Sequence, residues 1–183
     1  MEWDDVDPGL RVTVSVGVAE RASVDDDFAG GNLAAVIAIE TRGDRPPAAQ
    51  LLIYPATDGR NTRPSQQLFG QGYFLSDEDR ASFTRYYLEG TGTAERDWRV
   101  APLYADDLSG LAPALVVTAG FDMLRDEGDA YTDALQAAGT PVRRMCADAH
   151  GHGFLHMTGV APTARDAMIR VARDWRALLD GIA

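Results

Sequence analysis

The sequence predicts an α/β protein: a mainly parallel sheet of about four strands, flanked by helices. Two observations carry that expectation. Ala49 to Pro55 (AQLLIYP) and Ala114 to Gly120 (ALVVTAG) are near-continuous apolar runs, the pattern of strands covered on both faces. Strand-like and helix-like segments then alternate along the chain, which is the order of βαβ units.

From the N-terminus, Arg11 to Val18 (RVTVSVGV) is β-branched and alternating and predicts the first strand. Gly30 to about Thr41 predicts a helix made largely apolar by Leu33, Val36, Ile37 and Ile39. The Ala49 run is the second strand. Thr57 to Ser76 is polar, with Gly, Pro, Asn and Gln. It is too long for a simple connector and is expected to form a wall or lid over a site. Ser76 then stands as an N-cap before acids in a first helical turn, and Gly90 ends that helix. The Ala114 run is the third strand. Asp126 to Ala138 predicts a helix with Tyr131, Ala134, Leu135 and Ala138 on one stripe, stopped by Gly139 and Pro141. Val142 to Ala147 (VRRMCA) is a weaker fourth strand. Thr163 to Leu179 predicts the last helix, with Met168, Val171, Ala172, Trp175, Leu178 and Leu179 turned inward.

A chain of 183 residues suffices for one domain and hardly for two, so residues 1–183 are expected to form a single domain. A net charge of −11 excludes a general affinity for nucleic acid or anionic membrane. The single cysteine, Cys146, excludes an internal disulfide framework and a multi-Cys zinc site; its apolar surroundings fit a buried thiol. His150 and His152 lack a third ligand at suitable spacing, so neither a metal nor another cofactor is expected. No window approaches the ~20 apolar residues of a membrane span. The acidic start MEWDDVDPGL lacks a signal peptide's apolar segment, and a soluble, cytoplasmic protein is expected.

In an open parallel sheet, ligands and catalytic groups gather at the carboxyl ends of the strands. Three segments qualify: Asp25 to Gly31, Gly120 to Asp126 and His150 to Phe154. They supply a strand–helix turn, an acid and a histidine, the order nucleophile, acid, base of the α/β-hydrolases. The wording of four segments is more specific: DDFAGGNLA (Asp26 to Ala34), LLIYPATD (Leu51 to Asp58), the stretch from Ala101 to Tyr131, and HGFLHM (His152 to Met157). In that order they resemble the hormone-sensitive-lipase-like branch of the superfamily, bacterial esterases and lipases, whose nucleophile turn reads GDSAGGNLA. The resemblance runs from Phe28 to the C-terminus.

The resemblance implies a partial α/β-hydrolase fold. The first half of the family's sheet, its N-terminal cap helices and its HGGG oxyanion loop have no counterpart in this chain, which is therefore expected to be a truncated domain. It implies Asp122 as catalytic acid and His152 as general base, the carboxylate fixing the imidazole tautomer. Asp122 also suits a helix N-cap, a dipole role that Asp126 and Glu127 can share. His150 and His156 are expected in loop or packing roles. At the nucleophile position stands Phe28, which has no nucleophilic atom, and Asp26 replaces the first glycine of G-x-S-x-G. The N–H of Ala29 is the remaining candidate oxyanion donor. Asp25, Asp26 and Asp27 suit helix capping and would repel an anion. Val18 to Asp26 reads as an insertion or a shifted reading frame spliced into the turn; Ser23 within it can substitute as a hydroxyl only if that loop folds back toward His152, whereas Ser15 lies inside the strand pattern.

Two functions follow. The resemblance implies a carboxylic-ester hydrolase acting on a small ester. The ester would lie against an apolar wall from Leu68 to Leu75, with Tyr73 and Phe74 as contacts; core packing is the other reading of those two rings. The alternative is an inactive pseudo-hydrolase that binds a small apolar ligand or a protein. The Arg11 to Val18 strand would also expose an apolar edge. A homo-oligomer pairing through it, or an added strand from VAERAS, would cover that edge; a third reading makes the chain a fragment of a longer reading frame.

Overall fold

The structure, a computed structural model, describes residues 12–15, 24–60, 62–94 and 96–182, with side chains from Gly30 onward. Four strands pair in the order β1-β2-β3-β4, all in parallel: β1 Val12–Ser15, β2 Ala49–Ile53, β3 Ala114–Phe121 and β4 Val142–Gly151. Helices α1 (Val24–Glu40), α2 (Pro64–Phe69), α3 (Asp77–Leu88), α4 (Arg125–Ala137) and α5 (Pro162–Asp180) connect or follow them. The expected α/β class and parallel sheet are therefore present. β1 covers residues 12–15 of the Arg11 to Val18 run, whose residues 11 and 16–18 lie outside the described residues. Among the described residues it stands at one edge of the sheet.

Side chains alternate across a strand, so each strand feeds two cores. Leu51, Ile53, Leu115, Val117 and Ala119 face α5 and pack with Ala164, Ala167, Val171 and Leu178. Leu52, Ala114 and Val116 face the other way, toward Ala34 and Ala35 of α1 and Tyr131 and Leu135 of α4. β3 is buried from Ala114 to Ala119, which explains its unbroken apolar wording. Each fully buried Leu or Val here contributes roughly 1.5–3 kcal/mol.

Two helices, α1 and α5, differ from expectation. α1 begins at Val24, ahead of Gly30, and carries Phe28 and Ala29 in its second turn. Its large residues Leu33 and Ile37 are 41% and 43% exposed, while Ala34, Ala35 and Ala38 face the sheet. The cause is proximity. A Cβ on Gly31 would stand 2.8 Å from Pro55 Cα, so only small residues fit on that face. In α5 the inward stripe is Ala164, Ala167, Val171 and Leu178, whereas Met168 is 47% exposed and Ala172 also faces out. Small alanines again allow close approach, which a ranking by side-chain hydrophobicity overlooks. In α4, Glu127 stands in the first turn as expected, but it is also buried and takes partners from outside the helix.

Other local expectations hold. Ser76 caps α3: its hydroxyl accepts the Asp79 N–H at 3.2 Å, and the Asp79 carboxylate accepts the Ser76 N–H at 3.0 Å. Ser76→Ala is expected to cost about 1 kcal/mol, read as a lower urea midpoint. Gly90, beyond the end of α3, has φ +74, the left-handed conformation glycine tolerates. Cys146, expected to be buried, is only half-buried; that burial still pushes its thiol up from the ordinary value.

Candidate active site

Parallel strands end side by side, so the residues that follow them meet. Phe121, the last residue of β3, pairs with Gly151, the last of β4. The next residues are Asp122 and His152. His152 Nδ1 lies 2.8 Å from Asp122 Oδ2, and both residues are 1% exposed. The other oxygen, Oδ1, accepts the Leu124 N–H at 2.9 Å. The carboxylate therefore also tightens the turn into α4, and its two sequence readings coexist in one group. An ionised carboxylate only accepts, so Nδ1 carries the proton and Nε2 presents its lone pair. That Nε2 is buried and has no hydrogen-bond partner among the described residues.

The strand ends are brought together by a register shift between Ala119 and Phe121. Gly120 permits it. A Cβ there would collide with the carbonyl oxygen of Asp148 and lie 2.7 Å from its carbonyl carbon. On the other side of the site, Tyr54 follows directly on β2 and packs its ring 4.4 Å from the imidazole, centroid to centroid.

Behind the pair lies a buried polar network that binds the β2 exit to α4. Glu127 Oε1 accepts the N–H groups of Thr57 at 2.8 Å and Asp58 at 3.2 Å. Its Oε2 accepts from Gln66 Nε2 and from Arg80 Nη1, each at 3.0 Å. Burial pushes the Glu127 carboxyl up to about 7, against the pull of Arg80 and the two backbone donors. Asp58 goes the other way. Burial raises it, but hydrogen bonds from Arg60 and Tyr104 outweigh burial and hold it down at about 2. Asn32, in α1, donates to the carbonyls of Ala56 at 2.8 Å and Val100 at 2.6 Å, fastening two loops to the helix.

Tyr73 and Phe74 stand beside these strand ends. Tyr73 stacks on Phe121 with centroids 6.1 Å apart, and the Phe74 ring lies against Gly153. They are 43% and 47% exposed, so the core-packing reading of both is corrected. Leu75, by contrast, is buried, and Leu68 is 62% exposed. His150 stacks on Phe154 at 5.3 Å, and His156 is exposed.

The nucleophile turn expected at 26–30 is helical. Phe28 lies inside α1 and not on a strand–helix turn. The N–H of Ala29 falls in the second helical turn, where a backbone donor bonds the carbonyl four residues back. That geometry removes it as a free oxyanion donor. Ser15 belongs to β1, and Ser23 lies outside the described residues. No group of three or more His, Cys, Asp or Glu side chains among the described residues is placed to hold a metal ion. No helix among them is long and apolar enough to cross a membrane.

Sequence reasoning gave no site role to Tyr54, Asn32 or Arg80, and gave Glu127 only its place in the first turn of α4, not its buried partners. Asn32 and Tyr54 stood inside quoted segments, GGNLA and LLIYP, which was the available signal.

A family profile described as the alpha/beta hydrolase fold matches residues 20–156. The carboxylic ester hydrolase LipN of Mycobacterium tuberculosis is 44% identical over 143 residues, covering 75% of this chain and 38% of its own length. Esterase LipI of the same organism is 37% identical, covering 94% and 54%. The ethyl acetate hydrolase of Pseudomonas putida is 36% identical, covering 84% and 49%. Among solved structures, the thermophilic carboxylesterase EstE1, cloned from a metagenomic library, superposes with a TM-score of 0.76 at 37% identity, covering 84% of this chain and 53% of its own. The chain thus spans about half the length of the curated relatives it matches.

Proposed function

Because the chain belongs to the alpha/beta hydrolase fold family, in its esterase and lipase branch, we propose that it carries the acid–base site of a carboxylic ester hydrolase. The observation that supports this reading is the Asp122–His152 hydrogen bond of 2.8 Å, with a buried, unpartnered Nε2 on the far side of the ring. Relatives named as ester hydrolases support the substrate class. Asp122 holds the imidazole in the Nδ1–H tautomer. Nε2 takes the proton of an attacking hydroxyl as its oxygen bonds the acyl carbon, and returns that proton to the leaving alkoxide. A water molecule then repeats the exchange and releases the carboxylic acid. Tyr73 and Phe74 flank the acyl or alcohol group of a small ester.

The nucleophile is the open position. The resemblance puts it at Phe28, which has no hydroxyl, and α1 runs through that residue. This favours a second reading, an inactive relative that binds a small apolar ligand. A chromogenic butyrate ester separates the two. The hydrolase reading expects turnover that falls about 10²–10⁴-fold in His152→Ala. If neither the native chain nor Phe28→Ser shows turnover that depends on His152, the hydrolase reading is lost and the binding reading stands.

A further inference from the structure

We propose that Tyr54 is a positioning residue for His152: it walls the imidazole against Asp122 and stabilises the ring when it carries its second proton. The proposal rests on reading Asp122 and His152 as an acid–base pair.

Backbone geometry points to it first. Side chains alternate along β2, so an extended residue 54 would face α1 and α4 with Leu52. Instead Tyr54 packs in the opposite core, with Ile53 and Phe154. The reversal comes from its φ of +35, the one positive φ at a non-glycine residue among the described residues. Bulky side chains rarely adopt that conformation, and it persists where the surroundings hold it. Here they do. The Tyr54 N–H donates to the Val117 carbonyl at 2.6 Å, and Gly31 of α1 presses on the following Pro55.

The ring that this strain delivers is 3% exposed. It meets His152 at 4.4 Å with the planes at 50°, and Phe154 at 5.8 Å edge-on. His152 therefore has a carboxylate at Nδ1, an aromatic ring against it, and a free Nε2. In acyl transfer the imidazole becomes cationic in a place that water does not reach. A ring within about 6 Å stabilises such a cation through its quadrupole. Of the charged groups on the packed elements, Asp122 bonds the imidazole, while His150 stacks on Phe154. Tyr54 is the only aromatic ring paired with His152 among the described residues.

The test follows the His152 ring carbons and protons by NMR as a function of pH in the full chain, assigned by comparison with His152→Ala. Tyr54→Phe keeps the ring and is expected to leave the titration midpoint in place. Fluorinated phenylalanines at this position drain the ring face while keeping its shape. They are expected to lower the midpoint stepwise, by on the order of one pH unit for the most fluorinated ring. Tyr54→Leu is expected to give a drop of similar size; should it fail to fold, the fluorinated series decides. A midpoint indifferent to fluorination overturns the proposal. Asp122→Asn separates the two levels. If it moves the His152 resonances and fluorination does not, Tyr54 alone is misread; if it too leaves them unmoved, the acid–base pair itself is wrong.

Discussion

Glu127→Ala is expected to lower stability by about 3–5 kcal/mol, read as a urea midpoint shift near pH 8. Four donors converge on this carboxylate: two backbone N–H groups, Gln66 and Arg80. Truncation strands all of them, and the guanidinium of Arg80, a residue only 6% exposed, loses its counter-charge. Removing one partner of a buried pair costs far more than the pair's net worth, because the remaining charge is still out of water. The damage reaches the site, since Thr57 and Asp58 follow Tyr54 on the β2 exit and Glu127 sits one turn beyond Asp122. The same residue sets a pH dependence. Burial holds its carboxyl at about 7, above the ordinary 4.5. The folded chain thus binds that proton more tightly than the unfolded chain does. Its contribution to stability is full below about 4.5 and is lost as pH rises through about 7. Glu127→Gln carries no titrating group, so its stability is expected to stay flatter between pH 4.5 and 7 than that of the native chain.

How much of this was legible in the sequence depended on whether the signal was local. β2 and β3 announced themselves because strands covered on both faces need unbroken apolar wording, and Asp122 and His152 stood at strand ends in a recognisable order. Helix faces were harder. Composition made α1 apolar through Leu33 and Ile37 without choosing a face and placed Met168 inward, but contact distance selected alanines and Gly31, since the backbones approach too closely for larger groups. Glu127 looked like a helix-dipole acid because its partners, Thr57 and Arg80, are distant in the chain. Nothing in the letters of Tyr54 reveals a positive φ. Strain of that kind is imposed by tertiary contacts, and it surfaces in this chain beside the site where rule-following sequence logic fails.

The second large effect is expected from Gly120→Ala, which should cost about 3 kcal/mol or more, at or beyond the upper end for overpacking. The added methyl would meet backbone atoms of Asp148, its Cα at 2.9 Å and its carbonyl more closely still. A side chain in the way can rotate; a neighbouring strand has to move. β3 and β4 would separate at the register shift, one residue before the Phe121–Gly151 pairing that sets Asp122 beside His152. Two readouts should therefore change together: the urea midpoint, and the downfield resonance of the Nδ1 proton shared by His152 and Asp122. Gly139→Ala is the control. Gly139 has φ +80 but nothing within 4 Å of an added Cβ, so it tests backbone strain without collision. It is expected to cost about 1–2 kcal/mol and to leave that proton resonance in place. Equal costs for the two substitutions, with the resonance intact in both, would mean that strand proximity at Gly120 does not hold the pair together.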